Sequence, residues 1–134
     1  RFEVEDVKGY HVINDAYNAS PMSMKAAIET LSELTKGRKV AVLGDMLERG
    51  AISVDAHRAV GREVAEHGFA ALVTRGEMGE EIANGAEAAG MKDVYRASSH
   101  EEAAAILHRI LQPRDAVLFK GSRGMKMEEI IKLL

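Results

Sequence analysis

No cysteine occurs in the 134 residues, so disulfides, thiolate catalysis and thiolate zinc sites are excluded, and a reducing compartment is permitted. Proline is almost as scarce, with two residues. No sign of charge dominates either. Eighteen Lys+Arg stand against 21 Asp+Glu, a formal net charge of −3, which offers no global attraction to nucleic acid or anionic lipid. Any phosphate chemistry must therefore come from a local site. No apolar run approaches the ~20 residues of a membrane span, and no signal-peptide pattern opens the chain. Three signatures are missing as well. There is no G-x-G-x-x-G after the first strand, no G-x-x-x-x-G-K-[ST], and no nucleophile elbow. The chain cannot cradle a triphosphate in the usual way, and its chemistry reads as half a site. Its first residue is Arg1 rather than Met, which suggests a piece of a longer protein.

What is present is a core-forming composition, 46% hydrophobic with 29% charged residues, of a length that suits one domain without metal or disulfide staples. Short apolar runs alternate with helical periodicity. Tyr10–Asn14 reads as a strand, preceded by a weaker one over Phe2–Val7. Ser20 caps a helix with Pro21 in its first turn and Met24, Ala27, Ile28, Leu31 and Leu34 on one face, and Gly37 closes it. Lys39–Leu43 is a β-branched buried strand, and a helix begins near Ser53 and ends at Gly68. The cycle repeats with Phe69–Thr74 as strand, Met78–Ala89 as helix and Val94–Ala97 as strand. Ser99 with Glu102 forms a capping-box pattern before a helix stopped by Pro113. Ala116–Phe119 is the last strand, and the final helix sets Met127, Ile130, Ile131 and Leu134 on one side. Strands this uniformly apolar are covered on both faces. The expected architecture is an α/β, doubly wound, Rossmann-like sheet of about six mostly parallel strands with helices on both faces.

In such sheets ligands bind beyond the carboxyl ends of the strands, so the loops after strands carry the functional reading. The last of them, Lys120-Gly121-Ser122-Arg123-Gly124, holds an ammonium at a strand end, two glycines that let backbone N–H groups turn inward, and a planar guanidinium suited to a carboxylate or phosphate. A tight turn with solvated cations reads equally well. In the first loop, Asp15 can accept hydrogen bonds from ribose hydroxyls, Asn18 offers a donor and an acceptor, and Ser20 stands at a helix N-terminus. These three also make ordinary turn and cap residues. Asp45 and Glu48 in the second loop can meet a cation, water or an ammonium group. His57 reads as a packed histidine rather than a catalyst, and His11, His67, His100 and His108 show no ligand spacing.

Asp15-Ala16-Tyr17-Asn18-Ala19-Ser20-Pro21-Met22-Ser23-Met24, Val42-Leu43-Gly44-Asp45-Met46-Leu47-Glu48 and Lys120-Gly121-Ser122-Arg123-Gly124-Met125-Lys126-Met127-Glu128 together resemble the C-terminal domain of the Mur ligases. Within the family they are most similar to the members that join D-alanyl-D-alanine to UDP-N-acetylmuramoyl-tripeptide. Ser20 stands where the family usually has a second Asn, and Arg49 where leucine is common. The resemblance implies a cytoplasmic, ATP-dependent ligase of peptidoglycan-precursor biosynthesis that works through an acyl phosphate. Residues 1–134 would be its single C-terminal domain, with an N-terminal UDP-binding and a central ATPase domain as partners. The central domain would supply the phosphate loop and the Mg²⁺ ligands. By resemblance Asp15, Asn18 and Ser20 face ATP, Lys120, Ser122 and Arg123 hold the dipeptide carboxylate, Asp45 and Glu48 lie near the substrate amine, and the fragment alone is inactive. A sister Mur or folylpolyglutamate-type ligase is the nearest alternative. A phospho-receiver domain is another, with Asp45 as acceptor, on condition that Phe2–Val7 is a parallel strand of the sheet.

Overall fold

The computed structural model of the chain describes residues 3–47 and 54–134. They form strands β1 (Glu3–Val7), β2 (Tyr10–Asp15), β3 (Lys39–Leu43), β4 (Ala71–Arg75), β5 (Val94–Ala97) and β6 (Ala116–Lys120). The helices are α1 (Pro21–Leu34), α2 (Val54–Glu66), α3 (Gly79–Ala88), α4 (His100–Ile110) and α5 (Glu128–Ile131), with a 3₁₀ turn at Arg123–Met125. The six strands join in the order β1-β2-β6-β3-β4-β5. All neighbours from β2 to β5 are parallel, and β1 alone runs antiparallel, against β2. The doubly wound expectation holds. The condition attached to the phospho-receiver alternative does not, because β1 is an antiparallel edge strand.

Period-two alternation divides the strands between two cores. Ile13, Ala41, Leu43, Leu72 and Leu118 face α1, α2 and α3, meeting Met24, Ile28, Val64 and Ile82. Val12, Val40, Val42, Val117 and Phe119 face the other way, against Ala103, Leu107 and Ile130 of α4 and α5. Both faces of the central strands are dry, which explains their unbroken apolar runs. At the amino edge, Asp115 is buried and accepts from the Arg38 Nε–H at 3.0 Å and from the Gln112 N–H at 2.9 Å. That edge is locked and polar chemistry is left to the opposite one.

The helix starts follow local rules, with informative departures. Ser20 caps α1 reciprocally with Ser23: the Ser23 N–H donates to Ser20 Oγ at 3.1 Å and the Ser20 N–H to Ser23 Oγ at 2.9 Å. The helix ends at Leu34, before Gly37, and the chain turns extended at Thr35. No further turn covers Leu34, which is exposed rather than inward. At α4 the Ser99 hydroxyl accepts from the Glu102 N–H at 2.9 Å. The Glu102 carboxylate, however, takes the Ser98 N–H and hydroxyl at 2.5 and 2.7 Å, so only half of the expected box forms. The start of the second helix near Ser53 lies outside the described residues; α2 is described from Val54. No helix among the described residues is long and apolar enough to cross a membrane.

Candidate functional site

Register brings the first and last loops together. Asp15 and Lys120 are paired positions at the carboxyl ends of β2 and β6, and Leu43 of β3 pairs with Lys120 on its other side. Lys120 is 2% exposed. Its ammonium donates to Asp15 Oδ2 at 2.7 Å and to the Asn18 carbonyl at 3.1 Å. A buried ammonium is tolerated only when paired and hydrogen-bonded, and both conditions are met here by the loop joining β2 to α1. Lys120 therefore fixes the course of that loop. Asn18 is exposed, and its carbonyl is the group that Lys120 holds.

Arg123 leaves the same strand end on the 3₁₀ turn and is exposed. Its guanidinium lies over the Tyr17 ring, 5.1 Å from the centroid, a cation–π contact that steadies a long side chain. Around them runs a groove of about 470 Å³ lined by Glu3, Asn14, Ala16, Tyr17, Arg123 and Glu128. Tyr17 stood in the first motif without an assigned role. Its part as the platform for Arg123 depends on two segments 106 positions apart in sequence, and no local pattern reports that. A second hollow, about 370 Å³, lies between Asp15, Asn18, Lys120 and the first turns of α1. Ser20, assigned to the nucleotide, uses its hydroxyl as the α1 cap.

The second and fifth loops are stitched together by backbone. The Gly44 N–H donates to the Lys120 carbonyl and the Ser122 N–H to the Asp45 carbonyl, each at 2.9 Å. The Leu47 N–H donates to the buried Ser122 hydroxyl. A Cβ on Gly121 would lie 2.8 Å from the Met127 Cγ and 3.2 Å from the Gly44 Cα, so a larger residue there would force its neighbours to shift. The loop after β6 does not form the anion nest of an α-helix start. It continues as one 3₁₀ turn whose Met125 and Lys126 N–H groups go to the Ser122 and Arg123 carbonyls.

Asp45 turns inward rather than toward the groove. Its carboxylate accepts from the Gly79 N–H at 2.9 Å, capping α3 from a distant loop. Burial pushes its pKa up, and the N–H bonds from Gly79 and Met78 pull in the opposite direction. Gly76 makes the reach possible. Its φ is +93°, and a Cβ there would stand 2.4 Å from Asp45 Oδ1. His57 is fully buried and accepts from the Met46 N–H at Nε2, 3.1 Å, so it is the packed histidine expected from the sequence and also holds the loop after β3. Glu48 lies outside the described residues. The rim thus gathers Asp15, Asn18, Lys120 and Arg123, and puts Asp45 and Ser122 beneath them as its supports.

The Mur ligase family, as its glutamate ligase domain, matches residues 1–123. The UDP-N-acetylmuramoyl-tripeptide–D-alanyl-D-alanine ligase of Bacillus subtilis is 43% identical over 128 residues, covering 92% of this chain and 28% of that protein. Among solved structures, the MurF ligase of Thermotoga maritima in complex with ADP superposes with a TM-score of 0.84 at 29% identity, covering 99% of this chain and 30% of that one. A MurF from Acinetobacter baumannii gives 0.86 at 30% identity, covering 98% and 29%. The chain spans under a third of the length of these relatives. The match over residues 1–123 and the shared fold together place the chain in the Mur ligase family, as its C-terminal domain.

Proposed function

We propose that this chain is the C-terminal domain of a cytoplasmic, ATP-dependent ligase that joins D-alanyl-D-alanine to UDP-N-acetylmuramoyl-tripeptide. In this reaction a carboxylate oxygen of the tripeptide attacks the γ-phosphorus of ATP, and ADP leaves. The amine of the dipeptide then attacks the resulting acyl phosphate. The C–O bond to phosphate breaks, inorganic phosphate departs, and the amine proton passes to solvent or a base. The chain supplies no phosphate loop, and the transfer belongs to domains outside it. Its part is to present the dipeptide and to close over the nucleotide, excluding water from a hydrolysable intermediate.

The observation that carries this reading is Arg123 held over Tyr17 beside Glu128 in one groove. A zwitterionic dipeptide presents a carboxylate to the planar guanidinium and leaves its amine near acidic side chains or the incoming acyl group. Asn18, on the loop pinned by Lys120, is set to meet ribose or phosphate oxygens of the nucleotide, and the Thermotoga relative is a ligase in complex with ADP. Lys120, Ser122, Asp45 and Ser20 serve the site by fixing its loops. Exposed Tyr17, Met22 and Leu47 along this border suit docking against the central domain. Aligning amine and acyl phosphate is worth up to ~7–11 kcal/mol of barrier when geometry is ideal.

Mg²⁺ does not suit this donor set. The Asp15 carboxylate carries the Lys120 ammonium and Asp45 is turned inward, and the trio among the described residues whose spacing could hold a metal ion, Glu29, Glu63 and His67, lines neither the groove nor the second hollow.

The test is steady-state kinetics of the complete ligase. Arg123→Ala should lower kcat/KM for D-alanyl-D-alanine by ~1.5–3 kcal/mol, the worth of a hydrogen bond to a charged group. An unchanged value removes Arg123 from the site. The purified 134-residue chain should form no product from ATP, tripeptide and dipeptide, and turnover by it alone would refute the division of labour.

A further inference from the structure

We propose that His100 is a positioning residue for the amino-substrate groove, because it braces the 3₁₀ turn that carries Arg123. The inference rests on the reading that Arg123 receives the dipeptide carboxylate. The turn is short of support of its own. It spans Arg123–Met125, and the residue that ends it, Lys126, sits at φ 52°, a left-handed conformation that is strained for a residue with a side chain. A single 3₁₀ turn has no ladder to hold it, so the direction in which Arg123 leaves the sheet is set by outside contacts.

His100 provides one. It is the first residue of α4, half-buried, and its Nε2 lies 3.0 Å from the Met125 carbonyl. On the other side of the ring, the Arg75 Nε–H donates to Nδ1 at 3.0 Å. A carbonyl only accepts and an arginine Nε–H only donates, so one tautomer satisfies both partners, with the proton on Nε2. The ring is thereby fixed in orientation as well as place. Its own backbone is anchored by the Ser99 cap and the Glu102–Ser98 contacts. Arg75 ends β4 and belongs to the same carboxyl edge. The result is a relay from the loop after β4, through the start of α4, to the loop after β6. His100 is not among the residues lining the groove, and it acts through the turn.

Two experiments test it. In the 134-residue chain, His100→Ala should speed amide hydrogen exchange at Met125 and Lys126 by about tenfold, while α4 amides such as Leu107 stay within about twofold. His100→Gln, which keeps an N–H donor near the position of Nε2, should restore most of the protection. Unchanged exchange at Met125 and Lys126 overturns the inference whatever the substrate proves to be. In the complete ligase, His100→Ala should raise KM for D-alanyl-D-alanine by about five- to twentyfold and leave KM for ATP within about twofold. Combined with Arg123→Ala it should add little further loss, since the two act as a unit. If Arg123→Ala impairs dipeptide use and His100→Ala does not, the brace is refuted and the groove assignment stands. If Arg123→Ala itself has no effect, the groove assignment falls, and with it the role given to His100.

Discussion

Replacing Lys120 with methionine separates two accounts of that residue. Methionine keeps the length and apolar stem of the side chain, so no large cavity opens between β2 and β3, and the change is confined to the charge. Lys120 is 2% exposed and its ammonium stands 2.7 Å from the Asp15 carboxylate, which is itself nearly buried. Removing one partner of a buried pair leaves the other charge without its counter-ion, and this typically costs ~3–5 kcal/mol. Out of a total stability of roughly 5–15 kcal/mol for a domain, that is a large fraction. With the usual unfolding entropy per residue it lowers Tm by roughly 10–18 °C. Urea denaturation of the 134-residue chain measures it directly. The double variant Lys120→Met with Asp15→Asn, which removes both charges, should recover at least half of the loss. If Lys120 served chiefly to hold a substrate carboxylate, the single variant would fold with near-native stability and lose only dipeptide use. A loss below about 1 kcal/mol, the level of an exposed pair, would refute the structural account.

Two further outcomes follow from the supports beneath the rim. Burial raises the Asp45 pKa above its ordinary 3.8, so the folded state binds its proton more readily than the unfolded chain does. This group's contribution then falls as pH rises from about 3.8 through the folded value, and is constant above it. Asp45→Asn lacks the effect, so the stability difference should move in favour of the variant across that window. The carboxylates of Glu81, Glu87 and Glu102, held low by Arg58, Arg96 and Ser98, slope oppositely but are common to both proteins and cancel. A difference moving the other way in parallel pH titrations of urea midpoints would refute the assignment. Gly76→Ala should cost ~2–3 kcal/mol, combining left-handed strain with loss of the Asp45–Gly79 hydrogen bond. In an Asp45→Ala background only the strain term should remain, and a full additive cost in the thermal melts would show that the carboxylate is not what Gly76 accommodates.

The elements were legible because each obeys a local rule. The paired Lys39–Leu43 run is buried on both faces and reads as such, and Ser20 with Pro21 opens α1 where capping chemistry demands. The meeting of Asp15, Asn18, Lys120 and Arg123 was legible for a different reason: strand ends in a parallel sheet share an edge, so loops distant in sequence converge without any signal in the loops themselves. What did not read out is which polar atom faces out and which faces in. Asp45 and Asp15 are both acids after strands, yet one caps α3 and the other carries Lys120. That choice is made by Gly76, whose missing Cβ admits the Asp45 carboxylate from a loop 31 positions away. Ser122 likewise turns inward because Gly44 and Gly121 let two loops touch. The division between groups that could meet ligand and groups that shape the rim is therefore set by glycine positions and strand register acting together. Composition records the glycines, but only the packed sheet shows which side chain each one lets through.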